Sequence, residues 1–339
     1  MKTSIYSSIK YLFLLALGIM LLLLAFKGQD LNSLLADLKS VNYWWVAASA
    51  FACLIAHWLR AKRWCMLIEP LGEGTPSVKN TFYAVMIGYV ANLAFPRMGE
   101  VSRCGVIHKT DKIPLNQLIG TVITERLIDL FMLFLIIGLA IILQYQLLST
   151  FLYDHVLSHF SGKFNNGSVI IIAISSLIGI PLIVYTIIKK SNWGVAKKML
   201  SLWGGLKNGV LSVKKMRDKN TFIAYSILIW LFYLLSIYLC LFALENLSHL
   251  GLIVAFSVLV FGSLGMVAPV QGGIGAFHWI VSEGLTIYSV PRSEGLAYAT
   301  IIHSSQTIVV LLIGLVSVMM VMINSSKKYK NEQTRSFKG

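Results

Sequence analysis

The chain has 339 residues, of which 57% are hydrophobic and 13% charged, with a mean hydropathy of +0.75. That balance excludes a soluble globular domain and a disordered chain, and leaves a polytopic membrane protein in one transmembrane domain spanning 1–339. The net charge of +15 would also suit nucleic acid, but its distribution along the chain assigns it to a membrane surface, with anionic lipid as partner and no nucleic acid.

The first expected span runs from Ile5 to Phe26. It has a basic start and no small-residue cleavage site after Phe26, so it reads as a retained signal anchor. Trp44 to Leu59 is the second span, followed by Arg60-Ala-Lys62-Arg63-Trp64, a short basic and aromatic patch expected to face the inner leaflet. The next apolar stretch, Thr81 to Phe95, breaks at Asn92-Leu-Ala-Phe-Pro96-Arg97-Met-Gly99-Glu100-Val-Ser-Arg103. A broken helix in lipid leaves backbone groups that cost several kcal/mol each unless protein or water satisfies them. A re-entrant hairpin near 81–117 is therefore expected. If the helix resumes directly after Pro96, then Arg97, Glu100 and Arg103 stand at i, i+3 and i+6. Glu100 then pairs with one arginine and leaves the other guanidinium for an anion, for which phosphate is the matching shape. The same arginines also fit plain snorkelling to water.

Leu118 to Leu143 is the third span and carries Glu125, Arg126 and Asp129 near its start. One arginine there serves two carboxylates at helical spacing, as a functional cluster or as an ion pair that fixes register. The second half, 168–323, contributes spans at Ser168 to Ile188, Thr221 to Leu244 and Leu296 to Ile323. Between the first two, 189–220 reads as a basic amphipathic segment on the inner leaflet. Between the last two, near 250–290, a second broken hairpin carries Ala268-Pro269-Val-Gln271-Gly272-Gly273-Ile-Gly275-Ala-Phe-His278. Its glycines permit close backbone approach, and free N–H groups at the following helix start suit an anion. A structural glycine turn explains the same residues. His278, Glu283 and His303 lack compact metal-ligand spacing, so no metal is expected.

Basic residues set the orientation. With the N-terminus inside, 24 of the 29 lysines and arginines face the cytoplasm, including the tail at 324–339, while Lys27, Lys39, Lys163 and Arg292 lie outside and Arg126 within a span. The same parity makes the two broken segments hairpins that enter from opposite faces. The expectation is an all-α protein with about six full transmembrane helices and two re-entrant hairpins as an inverted repeat, the halves being 1–143 and 168–323. Cys53, Cys65, Cys104 and Cys240 are scattered, none in an outside loop, and imply no disulfide. No Walker A, Gly-x-Ser-x-Gly, His-Glu-x-x-His or dinucleotide fingerprint occurs, so no cofactor and no catalytic residue is expected.

These residues together resemble the lysylphosphatidylglycerol synthetase transmembrane region, the flippase-like or UPF0104 family. The resemblance covers about Tyr11 to Ile323 and rests on Arg60 to Trp64, on Asn92 with Pro96-Arg97-Met-Gly99-Glu100 and Arg103, on Glu125-Arg126 with Asp129, and on Pro269 with Gly272-Gly273-Ile-Gly275. Many members carry a glutamate where this chain has His278. The resemblance implies movement or handling of a phospholipid or polyprenyl-linked head group in the cell membrane, the inner membrane in a bacterium, with both termini cytoplasmic. The synthase domain of bifunctional members does not follow within these 339 residues, so synthesis is not expected. A membrane-embedded lipid-modifying enzyme, or a non-catalytic partner of a glycosyltransferase or synthase, remain the alternatives.

Overall fold

The computed structural model describes residues 15–28, 39–72, 74–145 and 216–336, with side chains as far as 324. The expected span at Ser168 to Ile188 and most of the basic segment at 189–220 lie outside the described residues. Those described form helices and turns, with no strand among them. In chain order the helices are α1 (Leu15–Phe26), α2 (Tyr43–Ile68), α3 (Val78–Ala94), α4 (Met98–Asp111), α5 (Leu115–Leu143), α6 (Lys219–Leu241), α7 (Leu252–Val267), α8 (Ala276–Thr286) and α9 (Arg292–Ser336). Three are long and apolar enough to cross a membrane: Leu115–Leu143, Lys219–Leu241 and Arg292–Asn324. The contacts gather into two units, 1–122 with 216–339, and Ile123–Lys215.

Within the first unit α2 and α6 pack side by side as antiparallel helices. Their polar ties mark the two ends. At one end Asn42 N donates to Ala243 O at 2.9 Å, and Asn42 Oδ1 caps α2 by accepting from Trp44 N. At the other, Arg63 donates to Ser226, and Asp218 caps α6 by accepting from Thr221 N. α2 continues nine residues past the expected span end at Leu59, and α9 continues as helix into the basic tail.

The two broken segments fold as hairpins that approach from opposite ends. The first, α3 and α4, has its open end beside the C-terminus of α2, where Cys65 Sγ donates to Thr81 and Asn80 Nδ2 to Asp111. The second, α7 and α8, opens at the far end, where the Ser257 and Tyr288 hydroxyls meet at 2.5 Å. Small residues draw each pair of arms together. A Cβ on Gly88 would stand 2.8 Å from Gly99 O, and one on Gly265 would stand 2.7 Å from Phe277 Cα. The tips meet: Gln271–Gly273 packs on α3, and Leu93 Cδ2 lies 2.6 Å from where a Cβ on Gly272 would stand. α1 crosses the second break at Gly275, whose φ is +81° and whose missing Cβ leaves room for the Gly18 carbonyl and for Leu22 N at 2.6 Å. Arg292 holds that end, donating to Leu24 O at 3.2 Å and pairing with Glu283 at 2.7 Å.

Candidate functional site

The last turns of α2 bring polar side chains inward. Arg60 is 6% exposed, and Arg63 and Trp64 are both fully buried. The interfacial patch expected at Arg60-Ala-Lys62-Arg63-Trp64 is thus corrected. Four of its five residues, all but Lys62, turn into the bundle, because α2 runs on to Ile68 with α3 and α6 packed on it. Arg103 comes from α4, 4% exposed, with its guanidinium carbon 4.5 Å from the Trp64 ring centroid. Trp64 Nε1 donates to Thr121 Oγ1 at 2.9 Å, and that hydroxyl donates to Leu118 O. Arg63 reaches Ser226 Oγ at 3.4 Å. Arginine does not deprotonate in proteins, so three permanent cations sit in a region where each costs several kcal/mol unless anions answer it. Stacking on an indole stabilises a desolvated guanidinium by about 2 kcal/mol and fixes the plane in which its N–H donors lie.

At the same end an open cleft of about 440 Å³ lies between α2 and α6, lined by Lys62, Met66, Glu69, Arg217, Thr221 and Tyr225. Lys62 Nζ stands 5.8 Å from the Tyr225 ring. Mixed charge over an apolar floor of that volume suits a polar head group carried on a lipid. The Asp218 carboxyl in its wall is held below the usual carboxylate range by hydrogen bonds from the Thr221 hydroxyl and backbone N–H.

The residues of the first break divide between architecture and exposure. Asn92 Oδ1 accepts from Gly99 N at 2.7 Å, which satisfies one of the free N–H groups at the start of α4 and holds the hairpin shut. Pro96 is half-buried at the turn, and Arg97 is exposed at the tip with φ +64°. Helical register therefore starts at Met98. Glu100, half-buried, and Arg103 share a face at i, i+3, whereas Arg97 stands outside that register. In the second unit Glu125 is fully buried, Arg126 exposed and Asp129 half-buried along α5.

At the second break Pro269 is exposed and Gln271 and Gly273 are buried. Gly272 carries φ +56° and offers its carbonyl to His303 Nε2 at 2.9 Å. His278 is buried, its ring centroid 4.9 Å from that of His303. The site residues thus fall into a basic group around Trp64 and a histidine group at the second break. The two hairpins join through Leu93 and Gly272 rather than through the arginines. Sequence reasoning read Arg60, Arg63 and Trp64 as a leaflet patch rather than as site residues and passed over Thr121. The signal was present in three polar residues within five positions, but a basic run after a span reads first as a topology determinant.

The family profile described as "Lysylphosphatidylglycerol synthase TM region" matches residues 11–314. Among curated proteins, the UPF0104 membrane protein MJ1595 of Methanocaldococcus jannaschii is 28% identical over 160 residues, covering 44% of this chain and 45% of that protein. The match therefore spans about half the length of that relative. No solved structure matches the chain.

Proposed function

The chain belongs to the lysylphosphatidylglycerol synthase transmembrane-region family of membrane proteins, and from that premise we propose that it is a flippase-like transporter for a phosphate-bearing lipid or lipid-linked head group. The observation that carries this reading is the burial of Arg60, Arg63 and Arg103 around Trp64 inside a bundle. Buried guanidiniums at this density concentrate positive field at one end of the bundle, which attracts a lipid phosphate through the adjoining cleft while its acyl chains stay in hydrocarbon.

In this account Arg103 and Arg63 grip the phosphate, Trp64 fixes the plane of the Arg103 guanidinium, and Lys62 with Arg217 gathers head groups at the cleft mouth. The two hairpins are re-entrant and separate the leaflets. Their arms α3 and α7 have 17 and 16 residues, about 25 Å of helix each, short of the roughly 30 Å of hydrocarbon. Opposite approach and meeting tips form the gate, which must part for the head group to pass. Arg97 at the first tip is a further proposed contact, and Glu125, Arg126 and Asp129 are proposed separately as lipid contacts of the second unit. The charge bias places both termini and the Trp64 end at the cytoplasm.

Purified full-length protein in liposomes tests this. A head group labelled in one leaflet becomes accessible in the other with its chemistry unchanged. Altered lipid chemistry would favour a lipid-modifying enzyme, and neither change across phospholipid and polyprenyl-linked substrates would favour a non-catalytic partner.

A further inference from the structure

The second break carries two histidines that this transport account leaves unused. His278 in α8 is 5% exposed and His303 in α9 is 7% exposed. Their ring centroids lie 4.9 Å apart, edge to face, and Phe277 stacks on His303 at 5.1 Å. A carbonyl only accepts, so the 2.9 Å contact between His303 Nε2 and Gly272 O puts a proton on that nitrogen. His278 Nδ1 is buried and has no hydrogen-bond partner among the described residues. Gly272 is also the residue on which Leu93 of the first hairpin rests. One imidazole pair therefore sits behind the turn at which the hairpins meet.

Other titratable groups on the surrounding elements are engaged elsewhere. α1 and α7 carry none between Leu15 and Phe26 or between Leu252 and Val267. On α8, Glu283 pairs with Arg292 of α9 at 2.7 Å. On α9, Glu294 accepts from Asn246, and the Tyr298 hydroxyl donates to Ile237 O. α3 brings Lys79 at its far end, Tyr83 beside Phe82, and Tyr89 packed on His57.

Two imidazolium ions at this separation repel strongly in apolar surroundings, so the pair accepts one proton and resists a second. Neutral, it suits dry packing against Phe277. Charged, it donates more strongly to a carbonyl oxygen, and His303 Nε2 already faces that of Gly272 at 2.9 Å, so a proton on the pair strengthens this bond. We infer that His278 and His303 form a one-proton binding site whose occupancy fastens the Gln271–Gly273 turn to α9, behind its contact with the first hairpin, linking head-group movement to protons. The link to transport rests on the flippase-like reading, whereas the proton site and the fastening stand apart from it.

Full-length protein in nanodiscs, with carbon-13 in its histidine rings, is followed by NMR from acid to alkaline pH, beside His278→Gln and His303→Gln. The expected result is that the two rings titrate together as one proton binds, and that each variant moves the midpoint of the surviving ring by about one unit or more. Independent titrations indifferent to the partner's removal, or no titration of either ring, would overturn the site. Amide exchange over 268–276, corrected for its intrinsic pH dependence, should show protection rising about tenfold from pH 8 to pH 5.5 in the wild type and constant protection in His303→Gln. An equal rise in the variant, or a fall in the wild type, would overturn the fastening. In liposomes, a proton gradient should accelerate wild-type translocation but not that of His278→Gln, and translocation indifferent to the gradient would overturn the linkage. Absence of translocation under every condition would overturn transport and linkage together, with the NMR and exchange results still deciding the site.

Discussion

Replacing Gly99 by alanine should open the first hairpin. A Cβ at this position would overlap the Gly88 carbonyl oxygen and approach Asn92 Nδ2 to 2.6 Å and Asn92 Cγ to 2.7 Å. Backbone on one side and a hydrogen-bonded carboxamide on the other leave no flexible side chain to yield, so α3 and α4 must separate. Overpacking of this kind costs about 1–3 kcal/mol, and the Asn92–Gly99 bond it strains contributes roughly 0.5–1.5 kcal/mol more, for a total of about 1.5–4.5 kcal/mol. Gly105 is the control, because it lies on the same helix and a Cβ there meets nothing within 4 Å. Gly105→Ala should gain up to about 1 kcal/mol from helix propensity. Thermal unfolding of both variants in the same detergent, followed by near-UV signal and by solubility, compares them directly. Equal stability of Gly99→Ala and Gly105→Ala would refute the close-packed hairpin.

Trp64→Phe removes the donor to Thr121 while keeping a ring under Arg103, and should cost about 1 kcal/mol; Trp64→Ala should cost about 3–5 kcal/mol, both read by the same unfolding assay. Asp218 has its carboxyl held below the usual carboxylate range by the Thr221 hydroxyl and N–H; a group depressed in the folded state stabilises above its unfolded value and loses that contribution as pH falls through the folded one. Stability should therefore drop on acidification in the wild type, and Asp218→Asn should flatten that part of the profile in a pH series of melting curves. Single cysteines replacing Lys109 and Ser289 should label from opposite faces of sealed vesicles, the first from the cytoplasmic side, and labelling of both from one face would contradict hairpins that approach from opposite ends.

Helical class, membrane residence, family and the position of both breaks were legible in the sequence, because each depends on apolar run length and on proline and glycine, which act locally. The direction of side chains was less so. In a helix that is apolar all round, periodicity does not separate a face on lipid from a face on protein, so Arg60, Arg63 and Trp64 looked like a leaflet patch until α3, α4 and α6 closed over them. Asn92 and Gly99 read as binding residues from their polarity and place, whereas the amide of one and the N–H of the other are spent on each other. Arg97 left the expected helical face because the turn needed a left-handed residue at the start of α4. His303 stood 31 positions from its carbonyl partner, a separation that no local spacing reveals.

The central claim is that buried arginines meet a lipid phosphate, and head-group translocation by Arg103→Ala and Arg103→Lys in liposomes, at equal incorporation of folded protein, tests it most directly. Loss of a charge-assisted contact of roughly 1.5–3 kcal/mol predicts apparent affinity for the lipid about ten- to a hundred-fold weaker in the alanine variant. Lysine should restore only part, since it keeps the charge and loses the planar fork, and Lys197→Ala, in the basic 189–220 segment expected at the inner leaflet, should change little because diffuse leaflet attraction is screened by salt. Normal translocation by Arg103→Ala, with Arg63→Ala and Arg97→Ala equally unaffected, would contradict phosphate recognition by these residues.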